Sequence, residues 1–377
     1  MRSKAPGRRS RIFGAGPPAM NSSTRADMLV DSLQPLLEEG VEQRLFSGAS
    51  AAVTVDGQPM VMNVGTLAYE DPTAVTDTTL FDLASLTKTV TATVIVRLIE
   101  RGVIDPDAPV REVLPVGTGE GADRITMRML LTHTSGLPAA ASDWRTVPHP
   151  PPGERLPGVL RTPLETLPDA VFRYSCVGFI GAAAVAEAAT GTPLADLVRD
   201  EVSQPLGLES LAFGPVDPAI TAATEERMAD GRGVVRGEVH DELNWYLGGR
   251  AGNAGLFGNA ADVAKFAQSF LDRSLLTSAG HRLMTTQQIR PEHQAEHGHG
   301  FGLRIDDRGF MGDIGGYGHT GFTGTSWMVD PVRRTAAALL TNRVHPRREH
   351  VDIQPFRRRF AAQLAAVVTP RDEAAHG

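Results

Sequence analysis

Cysteine is nearly absent from this chain. One residue in 377, Cys176, is a cysteine, which excludes an internal disulfide and leaves the redox compartment open. Aromatic residues make up 6%. No apolar run reaches the ~20 residues of a membrane-spanning helix. Positive charge is not in excess: 37 Lys and Arg against 44 Asp and Glu leave a formal net charge of −7, with no electrostatic case for nucleic acid. The segment Met1 to Phe13 has the basic character and arginine pair of an export signal but lacks its apolar stretch of about 7–15 residues. Residues 1–22 are therefore expected to be a disordered extension, with Met20 as an alternative start, and the expected location is the cytoplasm.

Chemistry-bearing residues stand in three segments. Ser85-Leu86-Thr87-Lys88 opens a long apolar stretch. If 85–101 is helical, Ser85 and Lys88 sit one turn apart on one face. A serine hydroxyl is a poor nucleophile until a neighbouring base takes its proton, and a desolvated lysine with a lowered pKa can do so. The second segment is Phe172-Arg173-Tyr174-Ser175-Cys176, followed by the apolar run Val177–Ala184. The third is Gly318-His319-Thr320-Gly321-Phe322-Thr323-Gly324, leading into Thr325–Asp330.

S-x-x-K, then Y-x-x, then H-T-G, in that order, resembles the penicillin-recognising serine hydrolases. Within them the chain looks most like class C β-lactamases, DD-peptidases, and the esterases and transacylases on the same scaffold. Phe81–Ala84, Leu130–Pro138 and Gly248–Phe257 agree with that resemblance, which spans roughly residues 25–365. It implies an α+β fold (an α/β sandwich): an antiparallel sheet flanked by helices, with a mostly helical insertion. The expected layout is one domain over 23–377, its sheet part about 23–100 and 300–370 and its helical part about 101–299.

The resemblance also implies roles. Ser85 is the nucleophile that becomes acylated, and Lys88 is the adjacent base or an electrostatic partner. Tyr174 is the second base candidate and donates a proton to the leaving group. A tyrosine with a reference pKa near ~10 needs nearby positive charge to serve, and Lys88 is the natural source; the two are best treated as one coupled pair. The N–H groups of Ser85 and Phe322 form the oxyanion hole, with His319, Thr320 and Gly321 on a strand flanking the groove. Gly321 lets a substrate backbone approach closely.

Two positions depart from the family pattern. His319 replaces the lysine common in β-lactamases and is at most partly charged near neutral pH, which weakens anchoring of anionic substrates. Cys176 replaces an asparagine whose side chain both donates and accepts, and a thiol cannot replace both roles. These departures point away from β-lactams and cell-wall peptides toward neutral esters, thioesters or amides.

Other residues weigh less. Trp245 and Tyr246 are possible pocket walls. His133-Thr134-Ser135 reads as a helix-to-loop junction. His293, His297 and His299 have superficially metal-like spacing in a polar loop, but the family needs no metal and none is expected, nor any cofactor. Helices are expected near 25–39, 85–101, 176–190, 193–203 and 260–272, the last capped by Asn259. Strands are expected at 48–55, 59–64, 301–305, 324–330 and 335–342, the first two joined by the hairpin signal Asp56-Gly57. The proline-crowded stretch 139–170 reads as a long loop.

The expected activity is that of a serine acyl hydrolase or acyltransferase. It would use a small acyl donor and a water, amine or alcohol acceptor, without nucleic acid or membrane as partner. A β-lactamase or D-amino-acid peptidase is the alternative, and a non-catalytic binding paralogue the second.

Overall fold

Thr335–Thr341 shows why the strands lack hydropathic alternation. Ala337 and Leu339 face one core, with Leu29, Leu33, Phe356 and Phe360. Ala336, Ala338 and Leu340 face another, with Phe266, Phe270 and Trp327. A sheet covered on both faces needs apolar residues at successive positions, although side chains still alternate sides.

The computed structural model describes residues 22–368, apart from Asp56, 142–144, 146–147 and His350. The expected extension at 1–21 and Asp56 of the hairpin signal lie outside the described residues. The main sheet has eight strands, ordered Asp71–Ala74, Gln58–Ala68, Gly48–Val55, Thr335–Thr341, Ser326–Asp330, Tyr317–Thr320, Arg304–Ile305 and Gly298–His299. Every neighbouring pair is antiparallel. Helices Ser22–Glu42 and Gln354–Val367 cover one face, and Ala260–Asp272 packs on the other. The fold is the mixed helix and antiparallel-sheet arrangement expected.

Leu86–Glu100 is a helix buried along most of its length. Burial all round explains its lack of a sharp apolar stripe. Its threonines are compatible with the interior because hydroxyls bond back along the helix, Thr89 Oγ1 to Leu86 O at 2.7 Å and Thr93 Oγ1 to Thr89 O at 2.8 Å. Cys176–Thr190 is a second buried helix, its N-cap Ser175 accepting from the Gly178 N–H. Ala260–Asp272 is capped as expected, Asn259 accepting from the Asp262 N–H.

Several expectations need correction. The proline-rich stretch contains a helix, Pro152–Leu160; Pro152 is tolerated at its first position, where the missing N–H has no helical partner, while Pro157 lies inside it. The 301–305 strand shrinks to Arg304–Ile305, and the polar stretch before it, expected as loop, contributes the short strand Gly298–His299. The 324–330 strand starts at Ser326 because residues 321–325 form a turn. Helices Ser278–Thr285, Arg308–Met311 and Gln354–Val367 were not foreseen.

Candidate active site

Ser85 sits at the N-cap of Leu86–Glu100, half-buried. The preceding Ala84 has φ +47°, a left-handed conformation costing a non-glycine residue roughly 1–2 kcal/mol. Asp82 holds that bend: its Oδ1 accepts the Ala84 N–H at 2.7 Å and its Oδ2 the His240 N–H at 2.7 Å. Burial of Asp82 pushes its carboxyl upward in pKa.

Lys88, one turn on, is fully buried. Its Nζ donates to Ser85 Oγ at 3.0 Å, Asn253 O at 3.0 Å and Cys176 Sγ at 3.4 Å. Burial alone would lower its pKa. Negative charge on Cys176, Tyr174 and Asp241, where they are ionised, acts the other way and pushes it above the ordinary lysine value. These opposing influences bear on both roles expected for Lys88, the adjacent base and the electrostatic partner of Tyr174. The Lys88 Nζ also lies 5.0 Å from the centroid of the Tyr174 ring.

Tyr174 precedes the capping Ser175 and is positioned by His133. The His133 carbonyl accepts the Arg173 N–H at 2.8 Å, and its Nδ1 accepts the Ser175 N–H at 3.0 Å. The two rings lie with centroids 4.5 Å apart. His133 takes φ +60° where the helix Met127–Leu131 ends. It is a helix-to-loop junction as expected, but one that frames Tyr174, which its sequence did not disclose. Desolvation lowers its pKa well below the usual histidine value.

His319 and Thr320 end the strand Tyr317–Thr320. His319 is buried, and its Nδ1 lies 2.8 Å from Thr320 O, so that nitrogen carries the proton and Nε2 is an acceptor. Burial, with Arg304 and Lys88 nearby, lowers its pKa well below the usual value; it is neutral rather than partly charged near pH 7. A Cβ on Gly321 would run into Thr325 Oγ1 and, at 2.6 Å, Leu83 O. Thr323 Oγ1 donates to Asp82 O at 2.7 Å and Thr325 Oγ1 to Leu83 O at 3.1 Å. These bonds tie the 321–325 turn to the residues just ahead of Ser85. Phe322 follows, 47% exposed, with Arg343 4.7 Å from its ring centroid and His240 stacked at 5.7 Å.

The geometry thus gathers Ser85, Lys88, Tyr174 and Cys176 and ties the His319–Phe322 segment alongside them. Tyr246 instead packs under His149 and Arg155, and Trp245 is partly exposed beneath Arg232. His293 Nε2 faces Asp169 Oδ1 at 2.9 Å. His297 and His299 instead line a cavity of about 400 Å³ with Phe172, Tyr174 and Arg304. There the Nε2 atoms of both histidines and Arg304 Nε are buried without a hydrogen-bond partner. Desolvation holds His299 down to about 2. Sequence reasoning missed the Asn253 carbonyl, Arg304 and this wall. Gly248–Phe257 was a signal for Asn253, but no residue type announces a carbonyl acceptor.

Residues 33–362 match the family model described as Beta-lactamase. The chain belongs to that family. It is a serine hydrolase of the β-lactamase fold. It is 30% identical over 321 residues to a protein named "Putative D-alanyl-D-alanine carboxypeptidase" from Escherichia coli (strain K12), covering 74% of this chain and 73% of that one. The structure of EstCE1, titled "a hydrolase with promiscuous acyltransferase activity", superposes with TM-score 0.75 at 21% identity, covering 90% of this chain and all of that one. That likeness is one of fold. The structure of SurE with D-Leu gives TM-score 0.67 at 26% identity, covering 92% of this chain and 75% of that one.

Proposed function

We propose that this family member is an acyl hydrolase or acyltransferase that forms an ester on Ser85 from a small neutral ester, thioester or amide. The observation that carries the reading is the buried Lys88, hydrogen-bonded at once to Ser85 Oγ and Cys176 Sγ. Ser85 Oγ attacks the carbonyl carbon. Its proton passes to the Lys88–Tyr174 pair, and the same pair returns it to the departing alcohol, thiol or amine. When Lys88 is the ammonium, Tyr174 carries the proton and Lys88 is the charge that supports it. The Ser85 and Phe322 N–H groups receive the oxyanion. Neutral His319 and Cys176 give poor purchase on a β-lactam's carboxylate and amide. The test is intact-protein mass after exposure to p-nitrophenyl esters, a cephalosporin and a fluorophosphonate, beside Ser85→Ala. Adducts from the esters and probe that vanish in Ser85→Ala support it; a protein inert to every reagent sinks it.

A second reading keeps the acyl-enzyme and makes the acyl donor a D-amino-acid ester or amide. It is favoured by the name of the Escherichia coli relative and by the D-Leu of the SurE structure. Matched D- and L-alanine p-nitroanilides separate the two, since only this reading demands a preference for the D form.

A further inference from the structure

Arg357 lies on the C-terminal helix, 4% exposed, and its hydrogen bonds go to neutral oxygens. One of its terminal nitrogens (Nη2) donates to Gly321 O at 2.9 Å and Thr325 O at 2.7 Å; the other (Nη1) reaches Gln354 Oε1 at 3.2 Å. Burial, with Arg343 and Arg304 nearby, pushes the guanidinium down to about 9, and the Asp352 and Asp307 carboxylates offset only part of that. A buried arginine without a carboxylate in direct contact is costly. Here it is aimed at the carbonyls of one turn.

The Gly321 carbonyl belongs to the same peptide as the Phe322 N–H. In a planar trans peptide the two bonds point in opposite directions. A donor that fixes the carbonyl oxygen on the helix side therefore directs the N–H the other way, and a cationic donor polarises that N–H further. The turn is also closed within itself, Gly321 N–H to Thr325 O at 2.7 Å and Gly324 N–H to Gly321 O at 3.2 Å. Thr323 and Thr325 anchor it to Asp82 and Leu83. The Phe322 peptide is thereby held between the Ser85 segment and Arg357.

We propose that Arg357 is a positioning residue for the oxyanion hole, setting and polarising the Gly321–Phe322 peptide without touching substrate. This rests on the Ser85 acyl-enzyme reading. Removing one oxyanion donor outright costs on the order of 10²–10³ in kcat, so misaiming one should cost somewhat less. In Arg357→Met, kcat for a p-nitrophenyl ester is expected to fall roughly 30–300-fold with KM moving less than about threefold. Arg357→Lys, whose ammonium keeps the charge but not the planar fork, should fall about tenfold.

The deciding readout is phenylboronic acid, whose tetrahedral Ser85 adduct places an oxygen in the hole, set against a trigonal product carboxylate that forms no adduct. Boronate affinity should drop in step with kcat while carboxylate affinity stays within about threefold. Thermal midpoints confirm folding, and Arg357→Lys decides the matter if Arg357→Met does not fold. Unchanged boronate affinity and kcat in a folded Arg357 variant overturn the proposal alone. Absence of any boronate adduct or ester turnover on the wild-type protein overturns the Ser85 reading and the proposal with it.

Discussion

Lys88 Nζ donates to Cys176 Sγ at 3.4 Å. Sulfur is a weak acceptor and returns no donor of consequence, so the pair leaves an amide-bearing substrate without the recognition that an asparagine side chain at 176 would supply. Cys176→Asn should therefore raise turnover of a chromogenic cephalosporin at least about tenfold, the worth of one well-made hydrogen bond to a charged or polar partner. Ester turnover should change less than about threefold. Steady-state rates on both substrates check this; equal responses would mean that residue 176 does not set the preference.

Lys88 makes three hydrogen bonds in a dry site, and its removal should separate chemistry from stability. Lys88→Met keeps the volume but leaves the Asn253 carbonyl without its buried donor, at a cost of about 1–3 kcal/mol. The denaturation midpoint should therefore fall only modestly while kcat/KM falls roughly a thousandfold, within the range for lost proton transfer. Tyr174→Phe should match it within about tenfold, because the two act as one unit. A Lys88→Met protein that retains more than about a tenth of its acylation rate would contradict the assignment.

Much of this site was legible because its chemistry is local in sequence: Ser85 and Lys88 share a helical turn, and Tyr174 and Cys176 bracket one helix cap. What bears on their behaviour arrives from far along the chain. Asn253 offers Lys88 a main-chain carbonyl, and Arg357 reaches Gly321 from 36 residues on. Neither contact has a periodicity or motif to betray it. What the surroundings do to Lys88 is hidden for a related reason: desolvation follows from burial of an apolar helix, whereas the opposing charges depend on which side chains the fold converges. In the fold, the doubly buried strands were found from their apolar runs. The C-terminal helix Gln354–Val367 was missed although its buried Phe356, Phe360, Ala361 and Leu364 fall at helical spacing.

Stability should decline on acidification through the buried histidines. His133, His299 and His319 have folded pKa values below the unfolded reference of about 6.5. Below that pH the unfolded chain takes up protons that the folded chain refuses. The stability is fully present above about pH 6.5 and is lost as pH falls toward the folded values, for His299 toward about 2. Each contributes at most about 1.4 kcal/mol per pH unit. Urea denaturation at pH 7.5, 6.0 and 5.0 measures the slope, and His299→Phe, preserving the stack on Phe172, should flatten it. A slope unchanged in that variant would mean that His299 titrates normally.

Gly321 tests whether the turn beneath the oxyanion peptide tolerates any added atom. Its would-be Cβ meets Thr325 Oγ1 and the Leu83 carbonyl, both anchored, and then Ala84 Cβ at 3.4 Å. Relief requires moving either the turn or the bend that presents Ser85. Gly321→Ala should cost about 1–3 kcal/mol, as overpacking does, and reduce acylation at least about a hundredfold through the displaced peptide. Gly158→Ala is the control: it sits in the helix Pro152–Leu160 with open space around its would-be Cβ, and a helical alanine there should be neutral or stabilising by up to about 1 kcal/mol. Denaturation midpoints and single-turnover acylation rates on the two variants check both halves. Full acylation in a folded Gly321→Ala protein would show that the contact between the turn and the Ser85 segment has slack, and that the hole is not held as tightly as the hydrogen bonds around it imply.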